Sequence, residues 1–162
     1  ILPGVGSFKA AMKLLNDKGW TEMIKTNVKD KKKEIFGICL GMQLLGTNSE
    51  EFGLTEGLDL IKGKIKYLKN IGCNKNLPQI GWNSIAITKK HTYLDQIPNN
   101  TDFYFVNSLV FITERNENIV AETDYGVKFT SVVSHENIFG TQFHPEKSSK
   151  AGLKILKNFL DA

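Results

Sequence analysis

Cysteine is scarce in this chain, with only Cys39 and Cys73 among 162 residues. Two thiols cannot build a disulfide framework, which points to a reducing, cytoplasmic setting. The three histidines, His91, His135 and His144, are dispersed and no C-x-x-C or H-x-x-x-H spacing occurs, so no metal or cofactor is expected. No apolar run approaches the length of a membrane span, and no membrane partner is expected. Phosphate-binding loops are missing too, because Gly4-x-Gly6 lacks the later glycine of a dinucleotide fingerprint. A net charge of +4 and a pI near 9.0 raise the question of nucleic acid. The lysines are scattered, however, and the one dense run, Lys29-Asp30-Lys31-Lys32-Lys33-Glu34, is broken by acids and suits the end of a helix. With no zinc-finger, helix-turn-helix or aromatic RNA-binding signature, nucleic acid is not an expected partner. What is present is ordinary for one globular domain with a sizeable core: 41% hydrophobic and 23% charged residues.

The most informative stretch is Gly37-Ile38-Cys39-Leu40-Gly41-Met42-Gln43. Glu34-Ile35-Phe36-Gly37-Ile38 before it reads as a short buried strand, and Leu40 to Leu45 as the first turns of a helix. Cys39 is then at a strand-to-helix turn flanked by glycines, and G-x-C-x-G copies the G-x-S-x-G nucleophile elbow with sulfur for oxygen. A thiol at a helix N-terminus is expected to favour the thiolate. A small buried strand cysteine would account for the same pentapeptide.

A cysteine nucleophile needs a base, and the base needs a third group to hold its ring. Gln142-Phe143-His144-Pro145-Glu146 offers both, with His144 and Glu146 two apart around a stiff proline. In extended backbone side chains two apart point the same way, so the carboxylate can reach the imidazole's second nitrogen.

Elsewhere, Ser7 is expected to cap a helix with Ala10, Ala11, Leu14 and Leu15 as its apolar stripe, and Thr21 to start another with Met23, Ile24 and Val28 inward. Lys64 to Leu68 reads as a half-exposed strand, Asn70 to Pro78 as a polar loop, and Asp102 to Val106 as a strong strand. Short strands are expected around Val120-Ala121, Phe129 to Val133 and Ile138 to Phe143, and His91 as an exposed loop residue. A last helix, Lys150 to Leu160, is expected to pack through Leu153, Leu156 and Leu160.

The elbow, with Thr141-Gln142-Phe143-His144-Pro145-Glu146-Lys147-Ser148, resembles class I (triad-type) glutamine amidotransferases. Pro3-Gly4-Val5-Gly6-Ser7-Phe8, Gly81-Trp82-Asn83 and Tyr104-Phe105-Val106 narrow the resemblance to the glutaminase subunits of imidazole glycerol phosphate synthases. It runs from the first residue to the last helix. It implies an α/β fold with a mostly parallel sheet flanked by helices, and a site at the strands' C-terminal edge. It also implies a Cys39–His144–Glu146 triad, an oxyanion hole from Val5, Gly6 and Leu40, and substrate contacts from Gly4, Gly41, Gln43, Glu51 and Ser108. Glu50, beside Glu51, is a rival for the same contact. Trp82, Asn83, Tyr104 and Lys147 are implied at the interface with a synthase or cyclase subunit receiving ammonia in a heterodimer, although Trp82 suits a core strand as well. The family pattern has histidine at Asn107 and an aromatic at Leu109. Those departures leave a second supply role open, amidination of a bacterial surface sugar. A related cysteine hydrolase and a non-catalytic binding module are the readings from other classes. Relatives carry a further β-α-β segment ahead of Ile1, so a fragment of a longer protein, short of some sheet strands, is expected.

Overall fold

No residue of the segment Ile35–Cys39 is exposed, as a strand covered on both faces requires, and the sheet extends outward from it. The computed structural model describes residues 1–162. In chain order the elements begin with β1 (Leu2–Gly4), α1 (Phe8–Asp17), α2 (Trp20–Lys25), β2 (Ile35–Cys39) and α3 (Leu40–Leu44). Next come β3 (Asn48–Ser49), β4 (Thr55–Glu56), β5 (Gly63–Tyr67), β6 (Gln79–Ser84) and β7 (Ala86–Ile87). The chain closes with β8 (Asp102–Asn107), β9 (Leu109–Thr113), β10 (Ile119–Asp124), β11 (Lys128–His135), β12 (Ile138–Thr141) and α4 (Ser149–Leu160).

The large sheet runs β1-β2-β12-β11-β9-β5-β3-β4, with β10 and β7 branching from β11, and β6 and β8 form a separate ribbon. The α/β class and flanking helices are as expected, but the sheet is mixed. Only β1–β2, β2–β12 and β3–β5 pair in parallel. β10–β11 and β11–β12 are hairpins joined by short turns, and a short turn reverses direction where a parallel pair needs a long crossover. The parallel pairing that matters holds the ends of the chain together. Gly4 lies beside Cys39 in β1–β2, and Thr141 beside Ile38 in β2–β12.

Two apolar clusters clothe the sheet, one around Phe36, Phe103, Phe105, Phe143 and Ile155, the other around Phe8, Met12, Leu15, Ile35 and Met42. Ser7 caps α1 as expected, accepting from Ala10 N–H. The buried stripe of α1 is Phe8, Met12 and Leu15, however, and Leu14 faces out. In α2 Met23 is exposed too. Likewise α4 buries Gly152 and Ile155, with Leu156 and Phe159 partly covered, while Leu153 and Leu160 are exposed. In each case several stripes satisfy helical spacing, and the larger or better-shaped one packs. His91 is not a free loop residue: its ring stacks on Phe139 at 4.8 Å and its Nε2 bonds Ser134 Oγ at 3.0 Å. Cys73, in the polar loop, is buried and donates to the Tyr125 carbonyl.

The elbow explains its own glycines. A Cβ on Gly41 would come 1.7 Å from the Leu2 carbonyl oxygen, and one on Gly37 2.7 Å from backbone atoms of Gly41 and Met42. At Gly4 a Cβ would meet only the Leu40 side chain, at 3.3 Å. Gly41→Ala is therefore expected to cost at least about 3 kcal/mol or prevent folding, and Gly4→Ala to cost about 1 kcal/mol, read by chemical denaturation. Equal stabilities for the two variants would contradict the close approach of β1 to α3.

Candidate active site

Cys39 ends β2 with φ 54° and ψ −110°, a strained conformation for a residue with a side chain, held by the strand behind it and the helix ahead. Parallel pairing carries β1 and β12 to the same edge, so the Gly4-Val5-Gly6 loop leaves on one side of Cys39 and the His144 segment on the other. The face between them is a cavity of about 390 Å³ lined by Val5, Gly6, Cys39, Leu40, Ser108 and His144, among others.

His144 is buried and its Nδ1 is 2.7 Å from Glu146 Oε1. The two meet across a 3-10 turn, Pro145–Lys147, rather than along extended backbone. That turn is clamped to β8. His144 N–H donates to the Tyr104 carbonyl at 2.9 Å, Tyr104 N–H to Ser148 Oγ at 2.9 Å, and Ser148 Oγ–H to the His144 carbonyl at 2.6 Å. Phe143 stacks on Phe103 at 4.1 Å below. Ser148, in the quoted motif but given no role there, thus fixes the histidine's backbone.

The thiol is not poised as thiolate. Burial pushes the Cys39 thiol up to about 11, and the nearby Glu146 adds to the rise. Against this, the Leu40 backbone N–H, Lys147 and the Gln142 amide favour the charged form. The expected helix effect loses because α3 is one short segment of five residues while Cys39 is only 7% exposed. Cys39 Sγ–H points to the Val106 carbonyl at 3.9 Å, and Gln142 Nε2 donates to the sulfur at 3.7 Å. His144 borders the same cavity without a hydrogen bond to Sγ. A buried neutral thiol beside an imidazole oriented by a carboxylate can react if the proton leaves as the sulfur attacks.

The description "Glutamine amidotransferase class-I" matches residues 1–162. The chain belongs to the class-I glutamine amidotransferase family. It is 47% identical over 164 residues to the imidazole glycerol phosphate synthase subunit HisH of Methanosarcina barkeri, covering 99% of this chain and 78% of that one. It is 43% identical over 161 residues to subunit HisH 2 of that synthase from Vibrio vulnificus, covering 99% and 74%. Among solved structures, a glutamine amidotransferase crystal structure superposes with a TM-score of 0.72 at 16% identity, covering 98% of this chain and 75% of that one, a likeness of fold.

The amidotransferase cavity sorts the remaining expected residues. Gln43, Glu51 and Ser108 line it, as does exposed Lys147. Glu51 also has a local task, since its Oε2 accepts the Phe8 N–H at the start of α1 at 2.6 Å. Its rival Glu50 points outward to Lys66. Gly4 and Gly41 do not line the cavity; they are packed against Leu40 and the Leu2 carbonyl, where they shape the elbow. Trp82 is 55% exposed and edge-on to Tyr104 at 6.0 Å, which removes the core reading. Asn83 turns away from that pair, because side chains alternate along a strand, and its Nδ2 donates to the Asp124 carbonyl. Phe52, Tyr67, Pro78 and Val106 line the cavity too, a role no local pattern shows, since only the folded chain brings them there.

Alkylation of Cys39 by iodoacetamide should climb about tenfold per pH unit from about pH 7 to pH 10, as a thiol titrating near the alkaline end requires. A plateau reached near neutral pH would mean the thiolate is already formed.

Proposed function

We propose that this amidotransferase is the glutaminase subunit of an imidazole glycerol phosphate synthase in histidine biosynthesis, and that it delivers ammonia to a cyclase partner in the cytoplasm. The observation that carries the reading is the identity of 43–47% with relatives bearing that subunit's name, across 99% of the chain. The site's chemistry agrees. Cys39 Sγ attacks the side-chain amide carbon of glutamine while His144 Nε2 takes the thiol proton and Glu146 holds the ring. The Leu40 N–H and an amide of the Val5-Gly6 loop receive the oxyanion. His144 returns the proton to the leaving nitrogen, ammonia departs, and water cleaves the γ-glutamyl thioester to glutamate. The cavity supplies Glu51 for the substrate's ammonium and the Ser108 turn for its carboxylate.

Ammonia must pass to the partner before it is protonated, so the partner should cover the edge beside the cavity. Ile80 and Trp82 are exposed on β6, cross-strand from Val106 and Tyr104 on β8. This apolar strip suits a docking face whose centre is an aromatic anchor. Two buried free thiols and no helix long and apolar enough to cross a membrane fit the compartment proposed.

With the synthase partner present, Cys39→Ala should lower glutamate release roughly a thousandfold or more, and Glu146→Gln should reduce kcat roughly a hundredfold with little effect on KM. Retention of glutaminase activity by Cys39→Ala would end the proposal.

A further inference from the structure

Behind the nucleophile lies a set of buried amides that the triad does not use. Gln142 is fully buried, and Gln43 and Asn107 are each only 5% exposed. The Leu109 carbonyl accepts twice, from Asn107 Nδ2 at 3.1 Å and from Gln43 Nε2 at 3.3 Å. A carbonyl oxygen can only accept, so both side chains must present nitrogen to it. Gln43 Nε2 has a second N–H, which goes to Gln142 Oε1 at 3.0 Å. With its oxygen taken, Gln142 has its nitrogen free to face Cys39, and Nε2 is 3.7 Å from the sulfur. The direction of every donor is set by the backbone carbonyl at the start.

We propose that Gln142 is a positioning residue for the nucleophile: its side-chain amide donates to Cys39 Sγ, and Gln43, anchored with Asn107 on the Leu109 carbonyl, fixes the orientation in which it does so. Such a donor favours the charged sulfur over the neutral one and holds it while the thiol proton leaves. It acts against the burial that opposes ionisation at this position. The network also limits what Gln43 offers a ligand. Both its N–H groups are committed, so only Oε1 can serve the cavity, as an acceptor. The inference rests on the reading of Cys39 as the nucleophile, and its test reads the sulfur directly.

Gln142→Met keeps the side chain's length and removes the donor. The thiolate's ultraviolet absorbance, taken as the difference from Cys39→Ala, should show about a tenfold smaller thiolate fraction at about pH 10, since one hydrogen bond to a charged group is worth about one pH unit. Iodoacetamide labelling of Cys39, separated from Cys73 by peptide mass spectrometry, should slow by the same factor. A thiolate fraction unchanged in folded Gln142→Met overturns the proposal, as a purely structural amide would lower Tm and leave ionisation alone. Gln43→Met leaves Gln142 in place without its anchor and should give a smaller drop. If Gln142→Met does not fold, that variant decides, an unchanged fraction counting against the network. Failure of the glutaminase reading looks different: no glutamine turnover in the wild type, with the ionisation shifts intact.

Discussion

The structure depends on one pairing constraint, the parallel insertion of β2 between β1 and β12. Strands that run side by side in one direction deliver their following loops to one edge. Val5, Gly6, Cys39 and His144 therefore share a cavity although nearly the whole chain separates the first from the last. The close approach is tight enough that the elbow tolerates no side chain at Gly41. The same contact that excludes a Cβ there brings the glycine loop against the start of α3.

Burial gives this edge its chemical character. A sulfur covered by Val106, Gln142 and the strand ends is costly to ionise, so losing its proton depends on a base. His144 is placed by backbone clamps to β8 and by Glu146, so its orientation is set before any ligand arrives. The amide chain from Leu109 through Gln43 to Gln142 is equally fixed. Cys39 thus ends one strand, and Gln142 and His144 follow its parallel neighbour, so the same sheet edge determines the relative positions of all three.

What could be read from the sequence follows the range of the interactions involved. The elbow, the Ser7 cap and the His144–Glu146 pair are local, and each is present in the fold. Gln43 and Glu51 were also found beside the cavity, on the strength of motif likeness. The failures are long-range. Whether Leu14 or Met12 faces inward depends on what α1 packs against, and α4 buries Ile155 rather than Leu153 for the same reason. His91 looked solvated because Ser134 and Phe139, its partners, come from strands far along the chain. The thiol's ionisation was misjudged because a helix N-terminus is visible in sequence and desolvation is not. Gln142 stood within a recognised motif, yet its contact with Cys39 arises only through the β2–β12 pairing.

The most direct measurement is a crystal structure of the chain in complex with its synthase partner after inactivation by a glutamine analogue bearing a carbon electrophile. The account predicts a bond from the analogue's carbon to Cys39 Sγ, its oxygen on the Leu40 N–H, and His144 Nε2 within hydrogen-bond reach of the sulfur. An analogue attached at another residue, or His144 held away from the adduct, would contradict it.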